Sequence, residues 1–311
     1  MSTSRSRRRF LKQAGAASAA VAASISGMSR TAAAQVGGQA PGGSPKKAVL
    51  ISMLPRELSY TDRFALAKAV GFAAVEMQTI DDQAEAEVIA KASQEAGLPI
   101  HCVMNSEHWR SPLSSDDPAV VERSVQGMLT SIRNATLWGA GAVLLVPAVV
   151  NPATRYQDAW TRSTRVIRDR LLPVAEKAGV IIAVEEVWNR FLLSPLEMNA
   201  FVDGFGSPYL QAYFDVGNVM FYGFPQDWIR TLGARICRVH VKDFKVEKNT
   251  YSWENLGDGA VDWVDVRRAL HEIGYDGYVT TEIAAGDRAY LADVVVRLDR
   301  FLAGQSPVER R

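Results

Sequence analysis

The chain has 311 residues, 48% hydrophobic and 22% charged, with 23 Gly, 13 Pro and two Cys. That composition excludes collagen-like, low-complexity and disulfide-scaffold classes, and the length suits a single α/β barrel of about 250 residues. The formal net charge is +1, and it changes sign once the N-terminal segment is set aside.

Ser6-Arg7-Arg8-Arg9-Phe10-Leu11-Lys12 precedes a weakly apolar run from Ala14 to Met28. A small-residue cleavage signal, Ala32-Ala33-Ala34, then stands before Gln35. The paired arginines with Phe-Leu-Lys resemble a twin-arginine export signal. The resemblance implies that residues 1–34 are a signal peptide, that the twin-arginine export machinery is a partner, and that the mature protein is exported to a periplasm. A disordered basic arm is the alternative; a stable membrane span is not expected from a run so short and so rich in Ala and Ser. Residues 1–34 carry six basic and no acidic residues, so the remainder holds 29 basic against 34 acidic residues, a balance of −5. That balance argues against nucleic acid as a partner.

Residues 35–47 read as a Gly/Pro-rich linker, residues 48–303 as the barrel and residues 304–311 as a polar tail. Within the barrel, apolar β-rich runs alternate with amphipathic helical stretches. The spacing predicts strands over Val49–Met53, Ala74–Gln78, Ile100–Met104, Ala142–Val146, Ile181–Glu186, Ala212–Asp215, Ile236–Val241 and Tyr278–Ile283. Helices are predicted over Tyr60–Val70, Gln83–Ala96, Pro118–Trp138, Tyr156–Ala178, Pro195–Asp203, Pro225–Leu232, Asp262–Ile273 and Arg288–Leu302. Gly71, Gly97, Gly139, Gly179 and Gly274 fall where helices should stop. Eight strands alternating with eight helices predict a single-domain (β/α)₈ barrel. A doubly wound open sheet competes, but the first strand leads into Ser52-Met53-Leu54-Pro55 and not into a Gly-rich phosphate turn. Cys102 and Cys237 lie in apolar strand-like runs and are expected as small core residues, not as a disulfide.

Barrel enzymes carry their chemistry at the C-terminal ends of the strands. Here strand five ends Val184-Glu185-Glu186, strand six ends Phe214-Asp215, strand seven runs Arg238-Val239-His240-Val241 and strand eight ends Thr281-Glu282. Each residue alone reads as a helix cap, a salt-bridge partner or a satisfied core group. Together they converge on the barrel mouth, where carboxylates would repel one another without a cation. An oxygen-rich set with one His predicts one divalent metal, Mn²⁺ first, with Mg²⁺, Co²⁺ and Zn²⁺ as alternatives.

Glu186-Val187-Trp188-Asn189-Arg190-Phe191 resembles the strand-five motif of the ketose 3-epimerases, within the xylose isomerase-like superfamily. Phe214-Asp215-Val216-Gly217-Asn218 and His240-Val241-Lys242-Asp243 resemble motifs of the wider sugar isomerase/epimerase group. So do Leu256-Gly257-Asp258-Gly259, Val261-Asp262-Trp263, Gly274-Tyr275-Asp276-Gly277 and Thr280-Thr281-Glu282. The resemblance implies Glu186, Asp215, His240 and Glu282 as metal ligands, with Glu186 and Glu282 also moving protons. Strand alternation then sends Glu185 to the face opposite Glu186, toward the helices. The sequence departs from the ketose epimerase pattern at Asn218, where a His is usual, and at Leu192, where an acid is usual.

Glu76, His108, Trp188, Asn218 and Lys242 are the candidate substrate contacts, each with a structural alternative: a salt bridge for Glu76, a core aromatic for Trp188. Asn105, Glu107 and Trp109 follow strand three and are further candidates for the mouth; Phe224 offers an apolar face. A metal that grips two adjacent substrate oxygens acidifies the C–H between them and stabilises an enediolate. The expected activity is therefore metal-dependent isomerisation or epimerisation of an unphosphorylated sugar or keto-sugar, the small-molecule partner. Three readings stand beside it: a dehydratase or 3-keto-glycoside lyase on the same barrel, a non-catalytic sugar-binding barrel, and an endonuclease IV-like repair enzyme. Only four His in the chain count against the last.

Overall fold

The computed structural model describes residues 43–247 and 250–309. The export signal and most of the expected linker lie outside the described residues. Eight parallel strands close into a barrel: β1 (Lys46–Leu50), β2 (Ala74–Gln78), β3 (Ile100–Met104), β4 (Ala142–Leu145), β5 (Ile181–Glu185), β6 (Leu210–Asp215), β7 (Ile236–Val241) and β10 (Tyr278–Thr281). β10 pairs with β1 to complete the ring. β1 begins at Lys46, two residues inside the stretch expected as linker, and Ile51–Met53 forms a 3₁₀ turn where the sequence pattern suggested strand. The apolar run there continues past the strand because Ile51 and Met53 pack into the core from the turn.

The helices α1 (Tyr60–Val70), α2 (Gln83–Ala96), α3 (Pro118–Trp138), α6 (Pro195–Asp203), α8 (Pro225–Leu232) and α10 (Arg288–Leu302) occupy the predicted ranges. Ser59, Asp82, Asp117 and Ser194 accept backbone N–H groups at four of their starts. The predicted helix Tyr156–Ala178 has a π-helical turn at Ile167–Leu171 between α4 (Tyr156–Val166) and α5 (Leu172–Ala178). α9 (Trp263–Glu272) starts just after its cap, Asp262. Among the described residues no helix is long and apolar enough to cross a membrane.

Two apolar layers result. Helix residues such as Phe64, Ile89 and Leu298 pack on the outward side of the strands, which carry Val75, Val103, Val184, Phe214 and Val239. The barrel interior holds a smaller set: Cys102, Ala142, Leu144, Val146, Ala183, Val187, Tyr213 and Cys237. Both cysteines are free and buried. The floor of the interior is polar and closed. Tyr213 Oη lies 2.6 Å from Glu76 and 3.3 Å from Thr280 Oγ1, and Thr280 meets His101 Nε2 at 3.0 Å. His101 is also stacked on Tyr278.

Between β7 and α9 the chain makes an excursion absent from the sequence-based prediction, an antiparallel pair of β8 (Asp243–Glu247) and β9 (Thr250–Glu254). One carboxylate anchors it. Buried Asp243 accepts hydrogen bonds from the backbone N–H of Phe244, Gly257 and Val261 and from Trp263 Nε1. Gly259 has no room for a side chain against that carboxylate. The Leu256–Gly259 motif thus closes around Asp243, giving it the Gly257 N–H, while the Leu256 and Asp258 N–H groups turn to Asn255. Asp243→Ala strands several buried donors at once, each costing about 1–3 kcal/mol. The variant is expected to lose roughly 3–5 kcal/mol of stability in urea unfolding; a loss near zero would refute the clasp.

Candidate metal centre at the barrel mouth

β6 and β7 bring Asp215 level with His240, and β7 and β10 bring His240 level with Thr280. Inward-facing residues alternate along each strand. On β5 the large Ile182 and Val184 face the helices, whereas small Ala183 faces the crowded interior, as does Val187 beyond the strand. That parity turns Glu185 inward. One ligand atom each from Glu185, Asp215, His240 and Glu282 lies within 4.8 Å of the others. Glu186 is not in this group, which corrects the expectation from the strand-five motif. Its buried carboxylate accepts the Asp215 N–H at 2.7 Å, leaving Oε2 without a partner. Glu186 therefore holds the backbone of Asp215 from outside the cluster.

His240 is gripped at both nitrogens. Nε2 lies 3.0 Å from Glu76, and Nδ1 lies 2.8 Å from Glu185, 3.8 Å from Asp215 and 3.7 Å from Glu282. Glu76, expected as a sugar contact, is fully buried beneath the imidazole. It orients Nδ1 toward the acids, the arrangement by which an outer carboxylate tunes a metal-ligating His. Burial pushes the His240 imidazole down, but Glu76, Glu282 and Glu185 outweigh it and lift the group well above its ordinary value. Burial lifts the Glu185 carboxyl to about 7 against the pull of His240. For Glu282, burial is overcome by Lys242 and His240, which bring it to about 2.

Lys242 Nζ sits 2.8 Å from Asp215 and 2.6 Å from Glu282. Gly217 makes this possible, because a Cβ there would fall 2.5 Å from Lys242 Cγ. The mouth is therefore a slot for positive charge, and its donor set of three carboxylates and one imidazole fits a hard or borderline divalent cation. Asn218 braces it, its N–H donating to Asp215 Oδ1 and its side chain to the Glu186 carbonyl.

A cavity of ≈ 250 Å³ opens above the cluster, lined by His108, Trp109, Glu185, Trp188, Asn218, Lys242, Trp253 and Glu282 among others. Four of the five expected substrate contacts are in this wall, and Glu76 is the exception. Burial holds His108 down at about 4 and leaves its Nδ1 without a partner. Asn105 is turned away, bonded to Ser131 and the Glu107 N–H. Leu192 packs in the outer core. Trp253 was not anticipated; the alternation of Tyr251 and Trp253 around Ser252 was its only sequence signal.

The chain matches the xylose isomerase-like TIM barrel family over residues 64–297. It belongs to that family. It is similar to L-ribulose-5-phosphate 3-epimerase UlaE of Escherichia coli (strain K12), 29% identical over 240 residues, covering 72% of this chain and 82% of the relative. Among solved structures, 3-keto-D-glucoside 4-epimerase YcjR from E. coli superposes with a TM-score of 0.70 at 15% identity, covering 82% of this chain and 99% of that one. D-allulose 3-epimerase from Methylomonas sp. does so with a TM-score of 0.69 at 20% identity, covering 84% and 98%. The solved structures share the barrel that the strand and helix pattern predicts, and the family match agrees with the motif resemblance.

Proposed function

We propose that this xylose isomerase-like barrel is a divalent-metal-dependent sugar epimerase acting on an unphosphorylated keto-sugar, with Glu185 and Glu282 as its acid/base pair. One observation carries the assignment: of the four clustered groups, only Glu185 and Glu282 also line the cavity. Asp215 and His240 lie wholly buried behind them. A bound cation would be held by all four and would polarise the sugar oxygens. The two cavity-lining carboxylates are the groups able to take a proton from the carbon next to a carbonyl and return one. His108, neutral and unpartnered, is placed to hold a sugar hydroxyl. The epimerase name of the curated relative supports the reaction class.

The wall supports an unphosphorylated substrate. Among the described residues lining the cavity the sole cation is Lys242, which is already paired with Asp215 and Glu282. A phosphate dianion there would meet two carboxylates and, apart from the bound cation, no free positive charge. Metal-loaded protein in D₂O is expected to place deuterium next to the carbonyl of a free ketose and to leave the matching ketose phosphate unlabelled. Labelling of the phosphate alone would reverse the substrate class; no labelling of either would remove the epimerase reading. The Ser6–Lys12 motif supports export of the enzyme through the twin-arginine route, where free sugars are the available substrates. N-terminal sequencing of the secreted protein would then begin at Gln35.

A further inference from the structure

The wall of the cavity does not end at its rim. Trp188 and Trp253, both in the wall, stand with ring centroids 4.9 Å apart, and Trp188 continues into Phe221 at 5.0 Å and Tyr251 at 4.7 Å. Phe221 and Tyr251 lie beyond the lining residues. Trp109, Phe221, Tyr251 and Trp253 are 56%, 60%, 55% and 41% exposed. So many large rings left in water around one opening mark a binding surface. The surface is also rigid. Trp188 donates its indole N–H to the Asn218 carbonyl at 2.9 Å, buried Phe244 supports Tyr251 and Trp253 from below, and the Asp243 clasp fixes the base of the hairpin.

We propose that this aromatic shelf binds a flat, apolar aglycone, so that the preferred substrate is a keto-sugar glycoside with an aromatic substituent, its keto group left free for enolisation, while a free ketose is accepted but held less tightly. The inference rests on the sugar-epimerase reading of the same site and narrows its substrate class. Continuity with the cavity selects this occupant: two of the rings, Trp188 and Trp253, serve both cavity and shelf. Ring-on-ring contact adds selectivity without any need for hydrogen bonds.

Calorimetric titration of the full metal-loaded protein with matched phenyl and methyl glycosides of common hexoses tests this. The phenyl compounds are expected to bind roughly three- to tenfold more tightly. Tyr251→Ala and Phe221→Ala, both outside the cavity wall, are expected to erase that preference while methyl glycoside affinity stays unchanged. Equal affinity of phenyl and methyl glycosides, or binding of neither, overturns the proposal. So does a preference that survives both substitutions. Sedimentation showing a dimer that Tyr251→Ala dissociates would assign the shelf to a second copy of the chain instead. Deuterium exchange on free ketoses is a separate measurement, so its failure would remove the epimerase reading while leaving the phenyl preference to be judged alone.

Discussion

Glu185→Gln, purified without added metal, is expected to lose the divalent ion, whereas Glu186→Gln keeps about one ion per chain. The two substitutions are chemically identical and one residue apart, so only the direction of each side chain separates them. Glu185 meets His240 Nδ1 at 2.8 Å inside the ligand cluster. Its replacement removes a charge from the cation's own shell, a larger effect than the ten- to hundredfold usual for an outer partner. Glu186 accepts the Asp215 N–H through one oxygen, and a Gln carbonyl accepts the same bond. Turnover should follow the metal: roughly 10²–10⁴-fold lower for Glu185→Gln, which also loses a proton carrier. Metal analysis by mass spectrometry decides it, and a metal-free Glu186→Gln beside a loaded Glu185→Gln would return the ligand role to Glu186.

Chelation is the second test with a large effect. Removing the cation is expected to abolish turnover and to lower the thermal midpoint by about 5–10 °C. A ligand at a hundred times its dissociation constant contributes about 2.7 kcal/mol, and a domain of this size shifts about 2–4 °C per kcal/mol. The fold should survive, because Lys242 and a protonated His240 already face the carboxylates and offset part of their repulsion. Activity and midpoint that are indifferent to chelator and to added Mn²⁺ would remove the metal from the protein's chemistry.

The sequence carried most of the barrel because periodicity and capping are local. Helices bounded by Ser or Asp at one end and Gly at the other could be placed to the residue. Three of the four clustered groups were legible for a similar reason: Asp215, His240 and Glu282 lie at strand ends with no acidic neighbour competing for the position. Strand five offered two adjacent acids, and motif similarity favoured Glu186, the one that lies outside the cluster. The contrast between small Ala183 and the branched Ile182 and Val184 was the cue, since the branched pair face the helices and Ala183 faces the interior. Glu76 was legible as an inward acid but not as the support of His240, a contact across 164 residues of chain. The hairpin escaped because its alternation is short and its rings face solvent. No buried stripe announced it.

The closed floor of the barrel has a kinetic consequence. Glu76, Tyr213, Thr280 and His101 are all buried and bonded across the interior, so nothing passes through it. Whatever enters past Trp109 and Trp253 must return the same way, and the cavity admits one occupant at a time. Product and starting sugar therefore exclude each other, and accumulated product slows the forward reaction as a competitor for the free enzyme. With a single mouth for entry and exit, departure of the product and not the proton transfer is the step expected to cap turnover.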